Sequence, residues 1–435
     1  MPHNFDLLDS NFEKEFNRFL SKKRESKKDI NKSVQKILSA VSKNGDSAVI
    51  NFTEKFDKVL LEPSGMRVSE SEIAHAESAC PDDVKKALIK AHSRITEFHK
   101  TQIPKDIDYT DDCGVRLGSR WRPIESVGLY VPGGTAAYPS SVLMNSIPAQ
   151  VAGVERIVMV VPAPEGYLNP SVLTAAGLSG VNEIYRIGGA QAIASLAYGT
   201  ETIASVNKIV GPGNAYVAAA KKQVFGVVGI DMIAGPSEIT VVADSNNDPI
   251  WIAADLLSQA EHDESSQAIL ITDNKSFAHS VELAVLEHLN NLPRSIVARS
   301  SWERNGAIIL VPEIESAIPT INLIAPEHLE LACDQCEFIA DRVINAGAIF
   351  LGAHTPEAIG DYIAGTNHVL PTGRTSRFSS GLGVLDFMKR TSLVSCSPSS
   401  LQMIGPEAVT LANAEGLEGH ALSVSLRLSN LMPEK

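Results

Sequence analysis

The chain has 435 residues, of which 44% are hydrophobic, and it carries a formal net charge of −13 with a sequence pI near 5.4. A chain of this length and apolar content should form two or more domains with substantial cores. The acidic balance disfavours nucleic acid or an anionic membrane as partner. Neither a signal-peptide profile nor an apolar run of about 18 residues is evident, so we expect a cytoplasmic protein.

The first 120 residues are rich in charge and are predicted to be helical. Apolar residues recur at three- and four-residue spacing from Asp29 to Phe56 and from Asp82 to Thr101, as they do on one face of a helix. A basic run from Lys22 to Lys28 is interrupted by Glu25, and it is interpreted as a solvated helix face.

From residue 124 onward, short apolar runs alternate with helices that are rich in small residues. This alternation predicts a parallel α/β sheet. Buried strands are predicted at Arg156–Pro162, Glu183–Ile187, Lys208–Val210 and Glu238–Ala243, and helices at Ser141–Ala152, Ser171–Leu178, Ala190–Tyr198 and Asn214–Val224.

A second alternating set begins with a predicted helix over 248–262. Its apolar residues share one face, and Pro249 fits its first turn. Strands are predicted to follow at Ala268–Thr272, Ala307–Val311 and Ala348–Gly352. From about residue 382 there is little strand pattern before a final helix. The sequence therefore predicts two α/β halves and a C-terminal piece.

Three glycine-rich turns, Gly128–Gly134, Ile187–Gln191 and Gly211–Asn214, each follow an apolar strand and precede a helix. Such turns let backbone amides approach a pyrophosphate at a helix N-terminus. None completes the G-x-G-x-x-G fingerprint of dinucleotide sites. On the pattern alone, tight structural turns are at least as good an interpretation as nucleotide binding.

Four side chains of metal-binding type are scattered over the second half of the chain. Gln259 and His262 are three residues apart at the end of one predicted helix, so they should project from the same face. Asp361 and His420 each follow a glycine. Imidazole suits zinc, and a glutamine oxygen is an uncommon ligand. Spacing alone also fits solvated polar residues at helix ends.

Glu327 and His328 follow Pro326 in the segment Ile-Ala-Pro-Glu-His-Leu-Glu (324–330). Two proton acceptors with different intrinsic pKa values in one short segment fit acid–base catalysis, although the dipeptide alone means little. Pro326 is expected to hold Ala325 extended and to place the pair where a strand or loop meets a helix.

Five cysteines in a chain of this length do not indicate a disulfide framework. Cys333 and Cys336 form a C-x-x-C motif, but no second pair lies at zinc-ribbon spacing. We interpret them as reduced thiols near the start of a helix.

Longer motifs run through the chain. They are Gly-Leu-Tyr-Val-Pro-Gly-Gly (128–134) with Tyr-Pro-Ser (138–140), Gly-Pro-Gly-Asn-Ala-Tyr (211–216), Ile-Asp-Met-Ile-Ala-Gly-Pro-Ser-Glu (230–238), Gln-Ala-Glu-His (259–262), Ala-Pro-Glu-His-Leu-Glu (325–330), Gly-Asp-Tyr (360–362), Gly-Thr-Asn-His-Val-Leu-Pro-Thr-Gly (365–373) and Glu-Gly-Leu-Glu-Gly-His (415–420). Over essentially its whole length the sequence resembles the histidinol dehydrogenases.

The resemblance implies an α/β fold with two Rossmann-like, incomplete dinucleotide-fold domains and small helical N- and C-terminal extensions. The expected bounds are 1–26 for the N-terminal extension, 27–129 with 238–381 for a first α/β domain carrying the metal and catalytic residues, 130–237 for a second α/β domain on the NAD side, and 382–435 for the C-terminal segment. Family members are homodimers in which the C-terminal segment of one chain completes the other chain's site.

The resemblance also implies residue roles and a reaction. L-histidinol would be oxidised to L-histidine through L-histidinal, with two NAD and one water consumed and one Zn²⁺ bound per subunit. The implied roles are zinc ligation by Gln259, His262, Asp361 and His420, catalysis by Glu327 and His328, substrate contact by Ser237, His368 and Glu415 together with the zinc ligands and His328, and NAD contact by Tyr130, Gln191 and Asn214.

Three other interpretations remain at this point. A dehydrogenase of the same fold could act on another small diol or amino alcohol, but the intact set of ligand and substrate residues argues against it. A zinc hydrolase would need an open metal position holding a water, and the NAD-type turns disfavour it. A non-catalytic binding protein would have no need of an acid–base pair.

Overall fold

The computed structural model describes residues 1–21, 28–133 and 137–430. Most of the predicted basic run and Gly134 of the first glycine-rich turn lie outside these residues. The chain divides into two compact units. The larger consists of Met1–Gln102 and Glu125–Phe387, and the smaller of Ile103–Ile124 and Met388–Lys435.

Strands and helices alternate through most of the larger unit. The described strands are β1 (His3–Asp6), β2 (Ile107–Thr110), β3 (Arg116–Pro123), β4 (Ser126–Tyr130), β5 (Arg156–Val160), β6 (Glu183–Tyr185), β7 (Lys208–Val210), β8 (Gly229–Ile230), β9 (Glu238–Ala243), β10 (Gln267–Thr272), β11 (Ala307–Leu310), β12 (His328–Ala332), β13 (Ala348–Leu351) and β14 (Met388–Ser395). The described α-helices are α1 (Phe12–Ser21), α2 (Lys28–Asp57), α3 (Pro63–Met66), α4 (Glu70–Ala79), α5 (Asp82–Lys100), α6 (Pro139–Ala152), α7 (Pro170–Leu178), α8 (Gly189–Tyr198), α9 (Ala215–Val224), α10 (Pro249–Ala260), α11 (Lys275–Leu289), α12 (Ser295–Asn305), α13 (Ile318–Ile324), α14 (Cys336–Ala340), α15 (Glu357–Tyr362), α16 (Pro398–Ala414) and α17 (Glu418–Ser429).

A six-stranded parallel sheet with the order β1-β11-β10-β9-β12-β13 forms one half of the larger unit. Every residue of β9, in its middle, is buried. Alternate side chains of a strand face opposite sides of a sheet. Accordingly, Val241 packs in a core with α10, α11 and α12, and Val242 packs in a second core with α1 and α13. Helices thus cover both faces.

A five-stranded parallel sheet with the order β6-β5-β4-β7-β8 forms the other half. Helix α2, which bends at Gly45 (φ 50°), shares a core with α8 and α9 on this sheet. Helices α4 and α5 pack against α7 and α6. The smaller unit is different, because β14, β3 and β2 form an antiparallel sheet there, joined by α16 and α17.

The two parallel sheets with flanking helices confirm the predicted α/β class with Rossmann-like halves. The expected domain bounds remain a proposal. The packing of α2, α4 and α5 favours grouping residues 28–100 with the five-stranded half, whereas the sequence prediction grouped 27–129 with 238–381. An amphipathic helix shows that one face is buried but does not show which sheet buries it.

The sequence predicted only helices near the two ends of the chain, and it missed several strands there. The N-terminal segment begins with β1, which pairs with β11, so it is more than a helical extension. Residues 107–123 form β2 and β3, and the C-terminal segment contributes β14. Strands β2, β3 and β14 are largely exposed and contain charged residues. They therefore lack the apolar runs by which the other strands were recognised.

Among the described residues, no helix is both long enough and apolar enough to cross a membrane. All five cysteines are free. Burial raises the pKa of Cys333 to about 12, and Cys336 is the first residue of α14.

Candidate active site

The larger unit contains a cavity of about 550 Å³, and side chains from both of its halves line it. Much of its lining comes from the ends of the parallel strands and the turns that follow, where ligands bind in open α/β sheets. Of the site residues predicted from the sequence, the cavity is lined by Tyr130, Asn214, Ser237, Gln259, His262, Glu327, His328, Asp361 and His368.

Glu327 and His328 lie between a helix and a strand, which is the reverse of the predicted junction. Helix α13 ends at Ile324, Ala325 adopts a left-handed conformation (φ 49°, ψ 61°), and β12 begins at His328. The expectation that Pro326 would hold Ala325 extended was therefore wrong. The αL residue caps the helix, and Pro326 then prevents it from continuing. The alternating His-Leu-Glu-Leu-Ala of β12 is a strand pattern that the prediction overlooked.

The backbone of one residue on the neighbouring strand forms hydrogen bonds with both side chains of the pair. The N–H of Glu238, the first residue of β9, donates to Oε2 of Glu327 at 2.8 Å. Nδ1 of His328 donates to the carbonyl oxygen of Glu238 at 3.0 Å. Because Glu327 precedes the regular strand, its side chain reaches the same partner as His328, and Nδ1 of His328 is 3.8 Å from Oε2 of Glu327.

Helix α15 places one carboxyl group on each side of the His328 imidazole. Glu357 and Asp361 are four residues apart, so they share one face of the helix. Oε1 of Glu357 is 3.7 Å from Nδ1 of His328, and Oδ1 of Asp361 is 3.6 Å from Nε2. Burial alone would lower the pKa of His328, but Glu357, Glu327 and Asp361 outweigh it and raise that pKa well above its usual value. The protonated imidazole is therefore strongly stabilised.

The carboxyl groups around His328 also have perturbed pKa values. Burial raises the pKa of Glu327 to about 8, although His328 and the N–H of Glu238 act in the opposite direction. Burial raises the pKa of Glu357 to about 7, and its Oε2 accepts a hydrogen bond from the Ser258 hydroxyl at 3.2 Å. Groups that titrate near neutral pH can both take up and release protons during a reaction.

The predicted metal ligands Gln259, His262 and Asp361 all line the cavity. Helix α10 ends at Ala260, so His262 lies two residues beyond it rather than on its last turn. Gln259 is fully buried, yet neither atom of its amide has a hydrogen-bond partner, and Oδ1 of Asp361 makes no hydrogen bond although it forms an ion pair with His328. Buried polar atoms are normally satisfied. Unpartnered oxygen donors beside an imidazole fit a zinc site.

Within the described residues, His328, Glu357 and Asp361 also place potential ligand atoms within 4.8 Å of one another. Here, however, Glu357 faces Nδ1 and Asp361 faces Nε2, on opposite sides of the ring. One ion would not bind both sides of the same imidazole. This group is better described as a buried ion-pair network around His328. Burial would raise the pKa of Asp361, but its interactions with His328 lower it.

The predicted substrate contacts Ser237 and His368 also face this cavity. Ser237 lies immediately before β9 and therefore next to Glu238. Nδ1 of His368 is 2.9 Å from the carbonyl oxygen of Asp361, and Nε2 is 3.3 Å from Oγ of Ser141. His368 thus ties the backbone that carries Asp361 to helix α6.

The predicted NAD contacts lie at the turns of the five-stranded half. Asn214 caps α9, because its side chain accepts hydrogen bonds from the N–H groups of Tyr216 and Val217. Tyr130 ends β4, and its buried hydroxyl accepts a hydrogen bond from the N–H of Gly189 at 3.1 Å. Gln191, in the first turn of α8, is buried with both amide atoms unpartnered. Unlike Tyr130 and Asn214, Gln191 does not line the cavity, and its assignment to NAD stays a prediction.

Glu415 and His420 belong to the smaller unit. Glu415 directly follows α16, His420 lies in the first turn of α17, and both are exposed. Their assignment to substrate and metal stays a prediction.

Sequence reasoning missed Glu357 and the role of the Glu238 backbone. Glu357 could have been found from its spacing to Asp361, since two acids four residues apart in an otherwise apolar short helix must face the same neighbour. The backbone of Glu238 gave no such signal, because any residue could supply its N–H and carbonyl groups.

The cavity thus combines a buried acid–base pair, a donor set suited to a divalent cation, and glycine-rich turns at helix starts. A family model described as histidinol dehydrogenase matches residues 20–428. Histidinol dehydrogenases from Rhodopseudomonas palustris and Rhodospirillum rubrum are each 60% identical to the chain, covering 99% of it and 100% and 99% of their own lengths. The crystal structure of histidinol dehydrogenase from Elizabethkingia anophelis is 39% identical, with a TM-score of 0.93 over 99% of this chain and 98% of that one. The chain belongs to the histidinol dehydrogenase family.

Proposed function

We propose that this protein oxidises L-histidinol to L-histidine through L-histidinal, the last steps of histidine biosynthesis, using two NAD and a bound Zn²⁺. The observation that carries the proposal is the Glu327–His328 pair, fixed on the backbone of Glu238 in a cavity with the predicted donor residues. Family membership supports the choice of substrate. We further propose that the enzyme works in the cytoplasm.

Gln259, His262, Asp361 and His420 would hold the zinc, and Tyr130, Gln191 and Asn214 would contact NAD. A bound zinc would orient the nitrogen atoms of the substrate, and bound NAD would accept hydride from its carbon. The buried, unpartnered amide of Gln259 and Oδ1 of Asp361 support the zinc assignment. The positions of Tyr130 and Asn214 on the wall of the cavity support the NAD assignment.

His328 is proposed as the base for both oxidations. Its Nδ1 hydrogen donates to the carbonyl oxygen of Glu238, so Nε2 is the atom free to accept a proton. Nε2 is buried and makes no hydrogen bond, and Oδ1 of Asp361 lies 3.6 Å from it. When the substrate hydroxyl loses its proton to Nε2, Glu357, Glu327 and Asp361 stabilise the resulting imidazolium.

Glu327 is proposed to activate the water that adds to the aldehyde. The second oxidation needs a hydrate, because an aldehyde carbon can lose hydride to give an acid only after water has added. A carboxyl with a pKa of about 8 binds a proton firmly enough to remove one from water as that addition proceeds. The N–H of Glu238 fixes one of its oxygens and leaves the other for the water.

Ser237, His368 and Glu415 are proposed to contact the rest of the substrate. Ser237 and His368 face the same cavity as His328. Several polar side chains from different elements would contact an alcohol or aldehyde bound there. Such contacts fix the orientation of the reacting carbon towards the base.

The smaller unit supports the proposal of a homodimer with sites completed in trans. Large apolar side chains on its strand and helices stay exposed in the single chain, at 69% for Val394, 65% for Leu411, 57% for Leu422 and 58% for Leu426. Large apolar side chains exposed on so small a unit are typical of a surface that a partner covers. We propose that a second copy of the chain covers it, and that Glu415 and His420 then act in the partner's site.

The proposed reaction is tested by mixing the purified protein with L-histidinol and NAD. Two NADH should form for each histidinol consumed, and a His328→Asn variant should lose about 10²- to 10⁴-fold of that rate while keeping its fold. NADH formation with a different amino alcohol and none with histidinol would move the assignment to another substrate. Near wild-type turnover in His328→Asn would remove His328 from the mechanism.

The trans assignment is tested by mixing two inactive variants, His262→Ala and His420→Ala, under conditions that let subunits exchange. In a heterodimer, one site would carry both defects and the other neither, so about half of the heterodimer's sites should regain activity. If each site took all its ligands from one chain, every site would keep a defect and mixing would restore nothing.

A further inference from the structure

Lys221 is a lysine in the interior of the protein. It lies in α9, its side chain is only 2% exposed, and it pairs with Asp231, whose side chain is 1% exposed. Lysine is almost never fully buried unless it is paired. A buried ion pair is also a poor stabiliser compared with apolar residues of similar size. Stabilising the fold therefore does not explain why this pair is buried, which points to another role.

The hydrogen bonds of the pair converge on one residue. Nζ of Lys221 donates to the carbonyl oxygen of Gly211 at 2.9 Å, and Oδ2 of Asp231 accepts from the N–H of Gly211 at 2.8 Å. Asp231 directly follows β8, and Lys221 lies in the helix after the turn. The N–H and the carbonyl oxygen of Gly211, the first residue of the turn Gly211–Asn214, are thus both hydrogen-bonded to this ion pair.

Gly211 in turn lies directly against Tyr130. Its φ is 107°, a conformation that favours glycine, and a Cβ at this position would collide with the carbonyl oxygen of Tyr130. The hydroxyl of Tyr130 accepts from the N–H of Gly189, two residues before Gln191. A continuous set of contacts therefore runs from the ion pair through Gly211 to Tyr130 and the start of α8.

We propose that Lys221 and Asp231 are positioning residues for NAD, holding the turn Gly211–Asn214 and Tyr130 in the arrangement that receives the dinucleotide. This inference rests on the proposed function, because it takes these turns as the NAD side of the cavity. Both residues line that cavity beside Gly211, Pro212 and Asn214. A turn fixed before the ligand arrives loses little freedom on binding, which increases affinity.

The test replaces the pair by apolar residues in the variant Lys221→Met/Asp231→Leu, so that no lone charge is left buried. Isothermal titration calorimetry with NAD alone measures its Kd, and steady-state assays measure KM for NAD and for histidinol separately. We expect Kd and KM for NAD to rise about 10- to 100-fold and KM for histidinol to change by less than about twofold, since only the cofactor side of the cavity is loosened.

The matched control removes another ion pair from the same sheet. Arg156 and Glu183 join β5 to β6, with Nη2 and Oε1 2.7 Å apart, and neither lines the cavity. The variant Arg156→Met/Glu183→Gln should bind NAD as the wild type does, whatever its thermal stability. Equal loss of NAD affinity in both double variants would overturn the proposal, because the effect would then follow from general loosening of the sheet.

Thermal unfolding establishes that each variant is folded. If Lys221→Met/Asp231→Leu does not fold, Lys221→Met/Asp231→Asn takes its place under the same criterion. Failure of both to fold would assign the pair to the fold itself and overturn the positioning role, as would a folded variant with wild-type Kd for NAD. A wild-type protein that binds NAD but does not oxidise histidinol would refute the proposed function and leave this inference standing.

Discussion

Replacing Glu357 by glutamine should weaken His328 as a base without changing the shape of the site. Glutamine has nearly the same size as glutamate and keeps an oxygen that can accept the Ser258 hydroxyl. What disappears is a negative charge whose Oε1 lies 3.7 Å from Nδ1 of His328. The substitution therefore isolates the electrostatic contribution of one carboxylate.

The size of the effect follows from that distance. Two unit charges so close together attract by about 4 kcal/mol at an effective dielectric constant of about 20, which corresponds to about three pKa units. Glu357 carries only part of a charge near neutral pH, because burial raises its pKa to about 7. Glu327 and Asp361 also remain. We therefore expect the pKa of His328 to fall by about one to two units and kcat by about 10- to 100-fold.

The assay follows NADH formation from histidinol across the pH range. His328 must be unprotonated to act, so activity should rise as the pH passes its pKa. In Glu357→Gln that rise should move to lower pH, and the plateau should fall because the base is weaker. Glu183→Gln is the control, since Glu183 pairs with Arg156 and does not line the cavity. A Glu357→Gln enzyme with the wild-type plateau and pH profile would refute this reasoning.

Three further outcomes are expected. Glu327→Gln should lose more of histidinal oxidation than of histidinol oxidation, measured by supplying each substrate, and equal losses would contradict the proposed role in hydration. Dialysis against a chelator should abolish activity and Zn²⁺ should restore it, whereas an active protein without detectable metal would contradict the ligand assignment. Burial, with the charge of Asp255, raises the pKa of Glu330 to about 9, so the stability contributed by its protonated form is complete below about pH 4 and is lost as the pH rises towards 9. Glu330→Gln should flatten the decline in stability between about pH 6 and 8, and thermal unfolding curves that keep the wild-type pH dependence would contradict it.

The strands that the sequence predicted well share one property, which is burial on both faces. Glu238–Ala243 and Lys208–Val210 have the predicted bounds and lie inside parallel sheets. The strands that were missed lack a continuous apolar run, for different reasons. Residues 116–123 alternate exposed arginines with partly buried residues in an antiparallel sheet, and His328–Ala332 contains a buried acid that interrupts its apolar run. Apolar runs identify a strand only where both faces are covered.

The sequence predicted some residues of the candidate site and missed others. Local motifs brought Glu327, His328, Gln259 and His262 to attention, and these side chains do face one cavity. The contacts that explain their chemistry come from the backbone of Glu238 and from Glu357, which are distant in sequence and which no motif linked to the pair. Parallel pairing of β12 with β9 creates the contacts with Glu238, and that pairing is a property of the sheet order rather than of either segment.

The acid–base pair and the metal prediction are connected through charge. Three carboxyl groups surround one imidazole in a buried site, and only Asp361 has a lowered pKa, whereas burial raises the pKa of Glu327 to about 8 and of Glu357 to about 7. A site of low dielectric does not hold several negative charges against a single positive one, so it drives protons onto the carboxyl groups. A divalent cation at Asp361 would supply the missing positive charge and would let Glu327 reach the carboxylate form at a lower pH. Removing the metal should therefore raise the pKa of Glu327 as well as remove the orientation of the substrate, and a Glu327 pKa that stays unchanged after chelation, measured by NMR titration, would contradict this argument.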